Sequence, residues 1–168
     1  MKVNVINKSS NSLPVYAKAG DSGMDVMADF SKGVNEKFMH HAAYDEIRQK
    51  ILVFSGGRVL VPTGIFTSFP PGYEIQVRSR SGLALKQGVF VLNSPGTIDS
   101  GYRNEIGVIL FNTSDEVFEI GHGDRIAQLV LAKVSLIEWN EVLDLDSSER
   151  GEGGFGSTGV KQSNETKN

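Results

Sequence analysis

The chain contains no cysteine, which excludes disulfides and thiolate metal sites and suits a reducing compartment. It has no apolar run of membrane-spanning length, and its opening "MKVNVINKSS" lacks the apolar core of a secretory signal. A cytoplasmic protein with no membrane partner is expected. There is no excess of positive charge either: the net charge is −3, so no basic field directs the chain to nucleic acid, and any anionic partner must be met by local groups. Histidine is scarce. His40, His41 and His122 form no convincing metal set, and His40-His41 lie in a polar stretch where they read as solvated. What remains is 168 residues, 39% apolar and 22% charged, enough for one domain with a real core.

Short β-rich runs dominate. "KVNVIN" alternates, and Met24–Ala28 closes a turn-rich entry as a strand. "KILVF-SGG-RVLVP" reads as two strands joined at Gly56-Gly57, a hairpin signal. "YEIQVRSR" sets Tyr73, Ile75 and Val77 on one face and Glu74, Gln76 and Arg78 on the other. "GVFVLN", "EIGVILFN", "EVFEI" and "RIAQLVLAKV" follow, separated by "NSPGTIDSGY", "NTSD" and "GHGD", all rich in turn formers. One short helix is expected in "HAAYDEIRQKIL", where Tyr44, Ile47 and Ile51 fall at helical spacing. Many short strands with turn chemistry between them imply an all-β sandwich or barrel. After Val134 the pattern fades, and "DLDSSERGEGGFGSTGVKQSNETKN" reads as a mobile arm.

That arm contains a G-x-G-x-x-G at Gly151–Gly156. The dinucleotide reading fails on context: no βαβ unit fits before the chain stops at Asn168, and no G-K-[ST] follows for a P-loop. A plain solvating tail, however, has no need of Arg150 and Phe155. Four other segments carry polar groups. In "GMDV", Asp25 read alone is a turn aspartate. In "RSRSGLALK", Arg78, Arg80, Ser81 and Gly82 can jointly present donors to a phosphate, with Ser81 as a helix N-cap, and a helix start is itself an anion site. In "VLNSPGTIDSGYRNE", Asn93 and Pro95-Gly96 form a hairpin turn, with Asp99 and Tyr102 just beyond. In "GDRIAQLVL", Gln128 is an amide in an otherwise apolar strand, either edge-exposed or hydrogen-bonded.

Singly these segments are weak; their order and spacing are not. As "AGDSGMDVMA", "RSRSGLALK", "NSPGTIDSGYRNEIGV", "GDRIAQLVL" and "RGEGGFGSTG", the chain from Leu13 to Gly159 resembles the homotrimeric dUTP diphosphatases (dUTPases). The resemblance implies a β-clip or jelly-roll-like distorted barrel over residues 1–147, a flexible glycine-rich arm over 148–168, and a homotrimer with shared active sites. The implied activity is Mg2+-assisted hydrolysis of dUTP to dUMP and diphosphate. By resemblance, Asp99 is the catalytic aspartate that activates water toward the α-phosphorus, and Asp25 acts through water on the magnesium ion. Arg80, Ser81, Gly82 and Gln128 match phosphate contacts. Asn93 and the backbone around Gly96 and Ile98 match the uracil reader, and Tyr102 the tyrosine under the deoxyribose. In the arm, Arg150 matches the γ-phosphate arginine and Phe155 the ring that stacks on uracil, while Gly156, Ser157 and Thr158 complete the phosphate-contacting segment.

The chain departs from the pattern in places. Ser79 stands where proline is frequent, and Asn104 where glycine is common; a left-handed Asn104 preserves the turn. Residues 31–50 are expected to form a surface insertion and a tolerated loop. Two rival functions share the features: a dCTP deaminase of the same fold, and a dUTP-sensing regulatory binding protein. The aspartate of "GTIDSGY" and the glycine-rich tail favour dUTPase.

Overall fold

The computed structural model describes residues 1–151 and divides the chain into two units, Met1–Leu136 and Ile137–Asn168. Among the described residues, all regular structure lies in the first unit. In chain order it contains β1 (Asn4–Asn7), β2 (Met24–Met27), a 3-10 turn (Glu36–Phe38), β3 (Met39–Asp45), β4 (Lys50–Val61), β5 (Ile65–Ser68), β6 (Tyr73–Arg78), the helix α1 (Ser81–Gln87), β7 (Val89–Val91), β8 (Gly96–Asp99), β9 (Val108–Asn112), β10 (Phe118–Gly121) and β11 (Arg125–Lys133). No helix is long and apolar enough to cross a membrane among the described residues.

The strands pair antiparallel in three sheets. β1 and β5 form a ribbon; β10, β4, β9 and β7 form a larger sheet, with β3 along the other edge of β4; β2, β11, β6 and β8 form a third. Alternation explains the core. β4 turns Ile51, Val53, Val59 and Val61 inward, and β6 turns Ile75 and Val77 inward, into a single buried cluster shared by the two larger sheets. The all-β, jelly-roll-like expectation therefore holds.

Four local expectations do not. The Gly56-Gly57 hairpin is absent, since β4 runs unbroken through it. Its partner β3 shifts register there, from His40 opposite Arg58 to Ala42 opposite Val53, with His41 and Gly56 left-handed. A side chain on Gly57 would bring its Cβ 2.2 Å from the His41 carbonyl oxygen. The glycine pair thus makes a bulge, which the same residues serve as readily as a turn. In the gap, Asn112 is fully buried, its amide donating to the carbonyls of Val53 at 2.9 Å and Glu116 at 2.7 Å. The bulge lies where β4 exchanges β10 for β9 as its neighbour.

The helix expected in "HAAYDEIRQKIL" is likewise a strand and a turn. Asp45 Oδ1 accepts from the backbone of Ile47 and Arg48, a side-chain-closed turn that competes with helix. Ile47 is 97% exposed, so its helical spacing from Tyr44 was coincidental. The segment 31–50 is consequently not loop throughout: β3 pairs along β4, and Tyr44 packs edge-on against Phe30 at 5.9 Å. Finally, β7 and β8 flank Leu92–Pro95 but do not pair with each other. β7 pairs with β9 and β8 with β6, so this turn carries the chain between sheets rather than closing a hairpin.

Candidate active site

The outward face of the four-stranded sheet carries most of the predicted chemistry. Register places Asp25, Gln128 and Arg78 side by side across β2, β11 and β6. From the loop after β6, Arg80 reaches back: its Nε donates to Asp25 Oδ1 at 3.1 Å, and its Nη1 to the Arg125 carbonyl at 2.9 Å. Gln128 Nε2 also donates to Asp25 Oδ1, at 3.2 Å, and Arg125 Nε lies 3.7 Å from Oδ2. The amide in the apolar strand is therefore a bonded one. A cavity of about 610 Å³ opens beside this cluster, lined by Asp25, Arg78, Arg125 and Gln128 and by the segment after β1.

Arg125 is the residue that motif reading left out of the site. On a regular strand, a spacing of three puts it on the opposite face from Gln128. The register of β11 slips between Arg125 and Ala127, and Ile126 and Ala127 are buried in succession. This bulge turns Arg125 to the same side as Gln128.

The loop from Ser79 to Gly82 is built as expected, with one shift. Arg80, not Ser81, occupies the cap position of α1, without a side-chain cap bond, and Ser81 is the first helical residue. Ser81 and Gly82 are exposed, and a Cβ on Gly82 meets nothing within 4 Å, so room is left above them. Ser79 fixes the loop: its Oγ accepts from Val91 N at 3.0 Å and its N–H donates to Ser94 Oγ.

The second group of predicted residues lies on and after β8. Gly96 is buried, and a Cβ there would come 3.0 Å from Asn93 Nδ2, so the Asn93 side chain packs closely over this position and would have to shift to admit a larger residue. Ile98 is half-buried; Asp99 is exposed, opposite Glu74 on β6. Among the described residues the Asp99 carboxylate receives no hydrogen bond or ion pair, while its carbonyl accepts from Tyr102 N at 3.0 Å. Tyr102 Oη donates to the Glu105 carbonyl at 3.0 Å. Asn104 is not left-handed; these two bonds close the turn instead.

The chain does not bring the two groups together. Asp25 and Asp99 stand three strand spacings apart across the sheet and four residues apart along it, a separation of about 20 Å. No cluster of three or more histidine, aspartate or glutamate side chains suited to a metal occurs among the described residues. In the second unit, Arg150 is exposed in a turn closed by Gly151 N and the Ser148 carbonyl. Phe155, Gly156, Ser157 and Thr158 lie outside the described residues.

The family model for dUTPase matches residues 32–159. The chain is 46% identical over 159 residues to a deoxyuridine 5'-triphosphate nucleotidohydrolase of Fusobacterium nucleatum, covering 95% of this chain and 97% of that one. It is 45% identical to one of Finegoldia magna, covering 95% and 99%. Among solved structures, a Staphylococcus bacteriophage 80alpha dUTPase with dUPNHPP shares the fold at TM-score 0.75 and 24% identity, over 95% of this chain and 99% of that one. So does a phage phi11 dUTPase variant described with a structural Mg(II) ion, at TM-score 0.67 and 20% identity, over 88% and 100%. The chain belongs to the dUTPase family.

Proposed function

We propose, from membership of that family, that the chain hydrolyses dUTP to dUMP and diphosphate. The observation that carries the site assignment is the cluster around Asp25: two arginines and an amide converge on one carboxylate beside a cavity large enough for a nucleotide's phosphate chain. Cleaving a phosphoanhydride requires an activated water, charge neutralisation and alignment. Asp99, a carboxylate with no partner among the described residues, takes the proton from the attacking water. Arg80, Ser81, Gly82 and Gln128 hold phosphate oxygens. Asn93 and the Gly96–Ile98 backbone pair with the base edge, and Tyr102 packs under the sugar.

Magnesium fits the donor set. It prefers phosphate oxygens and waters with only one or two carboxylates, and Asp25, with Oδ1 already engaged by Arg80 and Gln128, suits contact through water. When bound, the ion would neutralise charge on the triphosphate.

A separation of about 20 Å between Asp25 and Asp99 is too long for one phosphate group and its metal. We therefore assign the site to two copies, one supplying Asp25, Arg80 and Gln128, the other Asp99, Asn93 and Tyr102, in a homotrimer. The exposed apolar run of Leu136, Ile137, Trp139, Val142, Leu143 and Leu145 supports assembly, since a monomer gains nothing by exposing it. The arm from 148 onward, with Arg150, Phe155, Gly156, Ser157 and Thr158, closes over the site. Asp25→Asn and Asp99→Asn, each inactive alone, recover about a quarter of wild-type activity when co-refolded as mixed trimers; no recovery would refute shared sites. Substrate is tested by pyrophosphate release from a panel of deoxynucleoside triphosphates and UTP. Release from dUTP alone is expected, ammonia from dCTP would mark a deaminase, and tight dUTP binding without turnover a sensor. Truncation after Ser148 should leave a folded protein of very low activity.

A further inference from the structure

Three arginines lie around Asp25, two of which, Arg78 and Arg125, line the cavity beside it, and the three are not equivalent. Arg80 and Arg125 both pair with the Asp25 carboxylate, so that anion already balances part of their charge. Arg78 has a different acceptor. Its Nε, at 2.8 Å, and its Nη2 both donate to Gln76 Oε1, a neutral amide oxygen. Gln76 in turn donates through Nε2 to Glu74 Oε1. Glu74, Gln76 and Arg78 alternate along β6, so all three stand on one face, and Arg78 lines the cavity next to Gln128.

This ladder does two things. The Glu74 carboxylate fixes which end of the Gln76 amide faces Arg78, because only the oxygen can accept from the guanidinium. The amide oxygen then takes one edge of the guanidinium fork and sets its plane. Nη1 is left with no partner among the described residues, on a side chain whose charge no carboxylate contacts directly.

We propose that Arg78 is a further contact for the phosphate chain of the substrate, and that Gln76 and Glu74 are the residues that position it. The inference rests on the assignment of this cavity to the phosphates. A planar donor held along one edge loses little rotamer freedom when an anion meets the other. Arg78 acts here on binding, not on the water or the α-phosphorus, so its removal changes KM and leaves kcat nearly intact.

The test is steady-state kinetics with dUTP, alongside inhibition by inorganic pyrophosphate and by deoxyuridine, which has no phosphate. Arg78→Ala should raise KM for dUTP and Ki for pyrophosphate about tenfold, with kcat within about twofold and deoxyuridine inhibition unchanged. Gln76→Leu leaves the charge in place but unaligned and should raise KM by about threefold. Glu74→Ala should do the same, and Glu74→Gln, which retains an oxygen for the Gln76 amide, should recover most of that loss. Arg78→Lys keeps the charge without the fork and should fall between wild type and alanine. Arg80→Ala is the reference. If it impairs dUTP and pyrophosphate binding while Arg78→Ala does not, the role of Arg78 is refuted and the phosphate site stands. If neither change affects these ligands, the site assignment fails and the inference with it. An equal loss of deoxyuridine binding in Arg78→Ala would mean general damage and would also overturn it.

Discussion

The two larger sheets share one core and divide the remaining work between them. The four-stranded sheet bears Asp25, Gln128, Arg78 and Asp99 on its outward face, while the five-stranded sheet buries a polar side chain of its own. Asn112 there is fully buried and fills the gap left by the β4 bulge. Asp99, by contrast, is exposed and has no side-chain partner among the described residues. A satisfied buried amide serves the fold, and an unsatisfied exposed carboxylate is available for chemistry. The same residue class therefore has opposite meanings on the two sheets, and partners distinguish them better than residue type does.

The contrast is breakable by substitution. Asp99→Asn should lower kcat by about a thousandfold with little change in melting temperature or in affinity for a non-hydrolysable dUTP analogue; near-normal turnover would remove Asp99 as the base. Gly57→Ala should act the other way. Its Cβ would stand 2.2 Å from a backbone oxygen, so backbone must shift, at a cost of about 3 kcal/mol. Denaturant unfolding would measure it, and turnover per folded molecule should hold. Asn112→Ala strands the Val53 and Glu116 carbonyls and should destabilise by about 2 kcal/mol, again without a change in kcat; a kinetic defect in either variant would erase the division between sheets.

The smallest effect belongs to the exposed pair Lys50–Glu119. The hydrogen bond from Lys50, then its charge, holds the Glu119 carboxyl below the usual range. A lowered folded value stabilises above the unfolded pKa, and the benefit disappears as pH falls through the folded value. Lys50→Gln should move the Glu119 titration upward by NMR while the melting temperature scarcely responds, because solvent screens the pair.

Both sheets were legible in part from the sequence. Period-two alternation marked β6, β9, β10 and β11, because inward and outward residues differ in polarity. The site motifs were legible for a local reason: each is one turn or one strand edge. Irregularities hid what was missed. Gly56-Gly57 carries the same signal for a turn and for a bulge. Arg125 changed face through a slip at Ile126 that alternation does not record. The contact of Arg80 with Asp25 spans 55 positions of chain, and nothing local encodes it. Tyr44 and Ile47 mimicked a helix over one turn, and only the exposure of Ile47 shows that no face was being built.

Ser79 has a mechanical consequence. Its hydroxyl and its amide hold the Arg80 loop to Val91 and Ser94, on either side of Leu92 and Asn93. Two loops that would otherwise flex independently are riveted at one point. Stiffness at one is stiffness at the other, so a ligand gripping the arginine loop also quiets the asparagine turn. If the two halves of a site lie on different copies, as proposed, that rivet ties one site to its neighbour.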